Sequence, residues 1–193
     1  MAANPAESLR MTAGDYLSWE REQVERHEFL RGDVFSMAGG TPRHNRLTAA
    51  MIIELGGALR GGPCQVTSTD QRIVAREGEH YVYADTSVVC GRMELAKGTK
   101  DVLANPSIVV EVLSKSTEAY DRGLKWDGYQ AIASVTDYLL VAQAEARIEH
   151  YRREANGEWR YRVVRAGGRV TLTNGAVFDV DTIYVGAFEF EGE

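Results

Sequence analysis

The sequence predicts a mixed α+β fold: a mixed sheet with helices packed on it and extra strands at the carboxyl-terminal end. Three observations predict this class. An amphipathic helix stands near the start of the chain, an almost wholly aliphatic strand stands in its middle, and short strand-like segments fill its last third. Helices and strands that follow one another without regular alternation are typical of one sheet with helices packed against it.

The clearest helix is predicted in "TPRHNRLTAAMIIELGGALRG". Its apolar residues recur at every fourth position and form one stripe, made by Leu47, Met51, Leu55 and Leu59. Pro42 fits the first helical turn, and the Gly-Gly-Pro sequence at 61–63 ends the pattern. This helix is expected to cover one face of the sheet.

Two other helices are predicted from their first turns. In "TAGDYLSWEREQVER", Thr12 stands three residues before Asp15, which is close to a capping-box pattern. In "DRGLKWDGYQAIAS", Asp121 is predicted to be the N-cap residue. The second of these helices follows the aliphatic strand directly.

The strands are predicted from apolar and β-branched runs between turn residues. "HEFLRGDVFSMAG" predicts two short strands folded about Arg31-Gly32, and "CQVTSTDQRIVA" and "HYVYADTSVVCG" predict one strand each. "PSIVVEVL" is aliphatic enough to be a central strand covered on both faces. Four later segments complete the prediction: "VTDYLLVAQ", "RIEHYRRE", "WRYRVVRA" and "RVTLTN".

Length and composition predict one soluble globular domain. The chain has 193 residues, of which 44% are hydrophobic and 26% are charged, and both values are ordinary for such proteins. We expect a mobile tail at residues 1–10 and a single domain at residues 11–190. No apolar run is long enough to span a membrane, and the start lacks the pattern of a secretory signal. A cytoplasmic protein without a membrane partner is therefore expected.

The two cysteines, Cys64 and Cys90, are too few for a disulfide framework, and each lies in a strand-like segment. We predict free, partly buried thiols.

The net charge of −6 argues against strong nonspecific binding to nucleic acid, but it does not exclude a local basic groove. Arginines occur between residues 43 and 76 and again between 147 and 169. Each is predicted to lie on a solvated face.

Two predicted strands carry an acid where the pattern calls for an apolar or neutral residue. These acids are Asp85 in "VYADTSVVC" and Glu111 in "IVVEVL". A buried carboxylate must be neutralised, paired or bound to a metal. If the two strands are neighbours, both carboxylates meet at one edge of the sheet, where Mg²⁺ fits one or two carboxylates plus water and phosphate oxygens. The backbone carbonyl of Val112 would supply a further oxygen.

Lys125 is a candidate third member of this site. Tyr129 and Ile132 follow it by four and seven residues, so the three share one helix face that should pack toward the sheet. An ammonium group there would orient a water molecule or stabilise developing negative charge. The alternative is that Lys125 extends its charged end to solvent past apolar neighbours.

The quoted segments together resemble a known family. "YVYADTSVVCG", "NPSIVVEVLSKSTEAYDRGLKWDGY", "RHEFLRGDVFSMAGGTPRHNRL", "STDQRI" and "DYLLVAQ" are similar to the Uma-two-type endonucleases, a branch of the PD-(D/E)XK nuclease superfamily. The similarity extends over roughly residues 15 to 185. It implies a restriction-endonuclease-like core and a nuclease that uses Mg²⁺ or Mn²⁺.

The resemblance also assigns residues. It implies that Asp85 and Glu111 bind the metal and that a nearby lysine assists the attack of water on a phosphodiester. The superfamily's usual lysine position falls on Leu113, and the resemblance places the role on Lys125 in the following helix. Lys115, which has the same strand parity as Glu111, is the other candidate. The remaining positions implied to lie near the site are Glu28, His44 and Asp70.

Three functions remain open at this point. The first is a metal-dependent endonuclease acting on DNA and working as a homodimer, because cleavage of both strands usually needs two sites; the strands near residues 148–173 would supply the dimer surface. The second is a non-catalytic nucleic-acid-binding or scaffold protein that retains the fold. In that case Lys125 or Arg72 would satisfy the two acids as ion pairs. An RNA-directed or nucleotide-directed hydrolase would use the same site.

Overall fold

A computed structural model of the chain describes residues 9–37 and 39–189. Its helices, in chain order, are α1 (Ala13–Glu20), α2 (Pro42–Ala58), α3 (Glu118–Tyr120), α4 (Trp126–Ala131) and α5 (Val180–Tyr184). A π-helical segment, Asp121–Lys125, joins α3 to α4.

Thirteen strands complete the secondary structure of the described residues. They are β1 (His27–Leu30), β2 (Asp33–Ser36), β3 (Cys64–Ser68), β4 (Arg72–Arg76), β5 (His80–Tyr83), β6 (Thr86–Cys90), β7 (Val102–Leu103), β8 (Ile108–Val112), β9 (Asp137–Val141), β10 (Arg147–Arg153), β11 (Trp159–Arg165), β12 (Arg169–Thr171) and β13 (Val177–Asp179).

The strands form two large mixed sheets and one hairpin. The six-stranded sheet has the order β11-β10-β9-β8-β6-β3, the five-stranded sheet has the order β2-β1-β5-β4-β7, and β12 pairs with β13. The pairs β8–β9 and β4–β7 are parallel, whereas the other pairs are antiparallel. The predicted α+β class with a mixed sheet is confirmed, and its strands are divided over two large sheets.

Two segments predicted as single strands each pass from one sheet to the other. β3 belongs to the six-stranded sheet and β4 to the five-stranded sheet, with a turn between them in which the Gln71 amide donates to the Ser68 carbonyl at 3.1 Å. β5 and β6 belong to different sheets in the same way, and the chain crosses at Ala84 and Asp85. The prediction of continuous strands was therefore wrong at both crossings.

The α2 stripe is buried as predicted. Leu47, Met51 and Leu55 pack on one face of the six-stranded sheet, in a core that also contains Val110 and Val112 of β8, residues of α5 and residues of the β12–β13 hairpin. The opposite face of the sheet forms a second core with α4 and the five-stranded sheet. β8 is thus covered on both faces, as its aliphatic sequence predicts.

Two of the predicted helix starts are confirmed. The Thr12 hydroxyl oxygen accepts the Asp15 amide at 3.2 Å, and the Thr41 hydroxyl oxygen accepts the His44 amide at 3.2 Å ahead of α2. The prediction of Asp121 as an N-cap was wrong. Helical structure begins at Glu118, and the Asp121 amide already donates to the carbonyl of Thr117 at 2.9 Å.

The prediction of free thiols was also wrong, because Cys64 and Cys90 form a disulfide. The antiparallel pairing of β3 with β6 sets the two residues directly opposite each other, with their Cα atoms 4.0 Å apart. The two cysteines are 26 positions apart in the sequence, so the sequence alone does not indicate that they are paired.

The chain termini are only partly described. Of the predicted tail at residues 1–10, only Leu9 and Arg10 are among the described residues, and Arg10 pairs with Asp33 at 3.0 Å between Nε and Oδ1. Residues 1–8 and 190–193 lie outside the described part. No helix within residues 9–37 and 39–189 has both the length and the apolar character needed to cross a membrane.

Candidate active site

The pairing of β6 with β8 brings the two predicted acids together. Thr86 pairs with Val110, so Asp85 and Glu111 stand at the next position along the two antiparallel strands. The Val112 amide donates to Asp85 Oδ2 at 2.7 Å, and the Asp85 amide donates to Glu111 Oε2 at 3.4 Å. The two carboxylates therefore lie side by side where the chain crosses between the sheets.

Glu111 is buried, with only 3% of its surface exposed. It alternates along β8 with residues of the α2 core, so its side chain points to the opposite face, toward α4. Its Oε1 atom accepts the Tyr129 hydroxyl at 2.8 Å and the Lys125 ammonium at 3.1 Å. These contacts account for an ionisable group within an aliphatic strand.

Lys125 projects into the same buried cluster from the end of the π-helical segment. Its Nζ atom donates to the Tyr83 carbonyl at 3.0 Å and lies 3.0 Å from Glu28 Oε1. Asp121 Oδ1 lies 3.7 Å from the same Nζ atom. The alternative in which Lys125 extends to solvent is wrong, because the residue is 5% exposed. Single π-helical turns are rare and occur frequently at functional sites.

Glu28 ties the five-stranded sheet to the cluster. It lies in β1, and its Oε1 atom accepts the Tyr83 amide at 3.0 Å in addition to contacting Lys125. Residue 83 thus offers its amide to Glu28 and its carbonyl to Lys125. The acid–lysine cluster, as we name Glu28, Asp85, Glu111, Asp121 and Lys125, therefore spans both large sheets.

His44 contacts the cluster from the start of α2. Its Nε2 atom lies 3.2 Å from Asp85 Oδ2. Burial acts to lower the pKa of His44, but the hydrogen bond and charge of Asp85 outweigh it and raise the pKa above its ordinary value.

The cluster holds four carboxylates around one ammonium group. Burial raises the pKa of Glu111 well above its ordinary value, and the charges of Asp121, Asp85 and Glu28 raise it further against the opposing effect of Lys125. For Lys125, burial acts to lower the pKa, yet the surrounding carboxylates raise it well above its ordinary value. We therefore assign a positive charge to Lys125, in a cluster that holds more carboxyl groups than cationic groups.

This donor set suits a divalent cation. Within residues 9–37 and 39–189, no group of three or more His, Cys, Asp or Glu side chains is arranged to hold a metal ion. Asp85 and Glu111 nevertheless offer adjacent carboxyl groups in a cluster that has only one ammonium group, and Mg²⁺ is commonly bound by only one or two carboxylates together with water and phosphate oxygens. Asp85 and Glu111 are thus the residues that would hold such an ion, and their chemistry fits it.

Two predicted positions, Asp70 and Lys115, make no contact with the acid–lysine cluster among the described residues. Asp70 stands at the crossing between β3 and β4, where its side chain is 70% exposed and pairs with Arg26. Lys115 is exposed in the turn after β8. Arg72, the alternative partner for the acids, instead contacts the Tyr83 hydroxyl, Glu20 and Asp101. Of the two lysine candidates, the structure places Lys125 against Glu111.

Sequence reasoning missed Asp121 as a member of the cluster and Tyr129 as a direct partner of Glu111. The signal for Asp121 is its spacing of four residues before Lys125, which puts both on one helix face. An aspartate at the start of a predicted helix also fits the N-cap role, and this interpretation obscures the four-residue spacing between Asp121 and Lys125. Tyr129 is predicted on the face of Lys125, but nothing in the sequence indicates its hydrogen bond to Glu111.

A solved structure confirms the class of fold. The "crystal structure of a putative nuclease belonging to DUF820" from Anabaena variabilis matches this chain with a TM-score of 0.73, covering 92% of this chain and 99% of that chain. The two sequences are 14% identical. The protein therefore has a nuclease-like α+β fold.

The family follows from the sequence match. The model of the Uma2 family, described as "Putative restriction endonuclease", matches residues 13–181, and the chain belongs to this family. Two relatives come from Synechocystis. The uncharacterized protein slr1290 is 34% identical over 92% of this chain and 93% of its own length, and the uncharacterized protein sll1609 is 31% identical over 77% and 84%.

Proposed function

We propose that this protein is a metal-dependent endonuclease that hydrolyses phosphodiester bonds in DNA. One observation carries the proposal: two adjacent carboxylates, Asp85 and Glu111, are fixed beside a buried lysine at the edge of a strand pair. Family membership supports the same reaction class. An acid pair with a neighbouring lysine suits phosphoryl chemistry, because it combines a cation site with a fixed positive charge.

Asp85 and Glu111 would hold Mg²⁺ or Mn²⁺, with the Val112 carbonyl as a further oxygen donor. When bound, the ion polarises the scissile phosphate and lowers the pKa of an attacking water molecule. The Val112 amide and His44 both contact Asp85 Oδ2, so they fix the orientation of that carboxylate before the ion arrives.

Lys125 acts in this proposal through its fixed charge. Tyr83 and Glu28 hold its ammonium group, while its third contact reaches Glu111. With its three donors engaged in this way, the ammonium group acts as a preorganised positive charge that stabilises negative charge developing on the phosphate. Tyr129 keeps Glu111 directed toward Lys125.

The test is nicking of supercoiled plasmid by wild type, Asp85→Asn and Glu111→Gln, with and without Mg²⁺ or Mn²⁺. We expect metal-dependent nicking by wild type and its loss in both variants. Asp70→Asn is the matched control, because it makes the same change in an exposed acid that pairs only with Arg26 among its described contacts. Equal nicking by Asp85→Asn and Asp70→Asn would refute the proposed roles.

A non-catalytic nucleic-acid-binding or scaffold role is the second candidate, and one observation favours it. The Lys125 ammonium already neutralises Glu111 as an ion pair. In that case wild type would not nick DNA, and calorimetric titration with Mg²⁺ would show no binding. Metal-dependent nicking by wild type, with metal binding that disappears in Glu111→Gln, would exclude this candidate and support the endonuclease. Metal binding without cleavage would retain the site and put the substrate in question.

We also propose a homodimer that uses β10 and β11. β11 is the edge strand of the six-stranded sheet, and it exposes Tyr161 (50%) and Val163 (41%). Light scattering during size-exclusion chromatography measures the mass directly. A mass of one chain at micromolar concentration, in the presence of DNA and without it, would contradict the dimer.

A further inference from the structure

A cleft of about 220 Å³ lies between the β10–β11 pair and the β12–β13 hairpin. Its β10–β11 wall belongs to the sheet face that carries α2. Ile148 and Val164 form a pair that packs in the α2 core, and the arginines of the wall follow at every second position along the same two strands. The acid–lysine cluster lies on the other face of the same sheet. The cleft is therefore separate from the candidate active site.

Four arginines line this arginine cleft: Arg152, Arg160, Arg162 and Arg169. Two of them have acidic partners, since Arg160 Nε lies 2.8 Å from Glu154 Oε1 and Arg169 Nε lies 2.6 Å from Asp179 Oδ1. His150, which also lines the cleft, is paired with Asp137. The acids therefore offset only part of the positive charge.

The other two guanidinium groups have no acceptor within the part of the chain that the structure describes. Among residues 9–37 and 39–189, neither Arg152 nor Arg162 makes a side-chain hydrogen bond or ion pair, and the Nε atom of Arg152 is buried without a partner. A buried donor without an acceptor carries an unrecovered desolvation cost. A ligand with oxygen acceptors and negative charge would remove that cost.

The register places these two arginines on one face of neighbouring strands. His150 pairs with Arg162 and Arg152 pairs with Arg160, so Arg152 and Arg162 are diagonal neighbours. Two planar guanidinium groups at such a spacing match the oxygens of one phosphate group, or of two successive ones, in a charge-assisted geometry.

We propose that the arginine cleft binds backbone phosphate of a nucleic-acid strand outside the cleavage site. The preference for a nucleic-acid strand over other phosphate compounds rests on the proposed endonuclease function. A chain with a net charge of −6 repels nucleic acid as a whole, so a local excess of positive charge is needed to hold a strand against it.

The test measures binding of a fluorescent DNA duplex by anisotropy in EDTA, where metal-dependent cleavage cannot occur, over a series of salt concentrations. The variant is Arg162→Gln, and the matched control is Arg165→Gln. Both residues lie in β11 and both changes remove one charge, but Arg165 has the opposite strand parity and pairs with Glu145 at 2.8 Å. Arg152→Gln is the second variant, and thermal unfolding verifies that each variant is folded.

We expect Arg162→Gln to weaken binding about fivefold at low salt and to reduce the salt slope by about one, as for loss of one phosphate contact. Arg165→Gln should retain nearly wild-type affinity. Equal losses in the two variants, or no loss in Arg162→Gln and Arg152→Gln, would overturn the proposal. A wild-type protein without measurable DNA affinity would overturn it as well.

A titration with inorganic phosphate distinguishes between the two possible ligands of the cleft, a nucleic-acid strand and a small phosphate compound. If phosphate binding is lost in Arg162→Gln while DNA affinity is unchanged, the cleft serves small phosphate compounds and the nucleic-acid assignment is wrong. Plasmid nicking reports on the endonuclease independently. Absence of nicking together with a binding defect specific to Arg162→Gln would reject the proposed function and retain the cleft.

Discussion

Asp85 and Glu111 extend the β6–β8 strand pair beyond its last backbone pair. The Asp85 side chain accepts the amide that follows Glu111, and the Glu111 side chain accepts the amide of Asp85. Each carboxylate is thus held by the backbone of the strand opposite to its own. The arrangement fixes both acids without any ligand, and such preorganisation is what electrostatic catalysis requires.

One pair of substitutions distinguishes experimentally between the two candidate lysines, Lys125 and Lys115. Lys125→Met should lower plasmid nicking by about 100-fold or more, because it removes a preorganised charge next to the acids. It should also lower the free energy of unfolding by about 3 kcal/mol, since it leaves buried carboxylates without their cation. Lys115→Met should change neither quantity, because Lys115 is exposed. Nicking rates are compared at a temperature where both variants are folded, and a larger loss in Lys115→Met would reassign the role.

Glu111 and Glu149 should respond oppositely to the same substitution. Burial raises the pKa of Glu111 well above its ordinary value, so the neutral isostere in Glu111→Gln should leave thermal stability in EDTA equal to or above that of wild type. Glu149 is also buried, but Arg122 and Arg147 hold it. Hydrogen bonds from Arg122 and Tyr161, together with the charges of the two arginines, outweigh burial and lower its pKa. Glu149→Gln should therefore lower stability by about 1–3 kcal/mol.

Denaturant titrations of these two variants in EDTA provide the measurement. Nicking assays on the same samples should show that Glu111→Gln is inactive although it is folded. Destabilisation of Glu111→Gln to the extent seen for Glu149→Gln would show that the Glu111 charge is a structural requirement of the fold.

His80 should make stability fall in mild acid. Burial, with added repulsion from Lys125 and Arg76, lowers the pKa of His80 to about 4. The unfolded chain has a histidine pKa of about 6.5, so between these values the unfolded state binds more protons than the folded state. The stability contribution is therefore complete above the unfolded pKa and is lost as the pH falls toward 4. It should amount to about 2 kcal/mol between pH 7 and pH 5.

The measurement is the free energy of unfolding of wild type and His80→Asn at pH 7 and pH 5. His80 contacts the Tyr120 hydroxyl at 3.0 Å, and asparagine retains a polar group there. The variant should lose less stability than wild type on acidification. An identical pH dependence in both proteins would show that other groups cause the effect.

Gly128 permits the close approach of α4 to the five-stranded sheet. A Cβ atom at this position would lie 2.8 Å from His80 Nδ1 and 2.9 Å from the Cβ of Ala75. Gly128→Ala should therefore cost about 1–3 kcal/mol through overpacking. It should also reduce nicking, because α4 follows directly after Lys125.

Gly123→Ala is the control for this prediction. A Cβ atom added at Gly123 would have no neighbour within 4 Å, so the change should be neutral or slightly stabilising. Thermal unfolding of both variants gives the comparison. Equal melting temperatures for Gly128→Ala and wild type would mean that α4 adjusts its position without cost.

The sequence by itself determined the features that depend on local pattern. The stripe of α2 follows from periodicity, the start of α1 at Thr12 follows from a local capping pattern, and the central place of β8 follows from its aliphatic run; the structure shows each of them. The unusual position of Glu111 was also readable, because an acid interrupts an otherwise apolar strand. Strand position and helix periodicity indicate Asp85 and Lys125 as its neighbours, and the family resemblance implies roles for all three in one site.

Only the tertiary structure decided which distant groups meet. The crossings of the chain between the two sheets, the disulfide between β3 and β6, and the convergence of Glu28 and Asp121 on Lys125 all depend on strand pairing over long sequence separations. The same holds for Asp70, which resembles a site residue in sequence but is exposed and paired with Arg26. Local patterning fixes the face to which a side chain points, whereas its partner is chosen by the packing of the whole chain, which no single segment encodes.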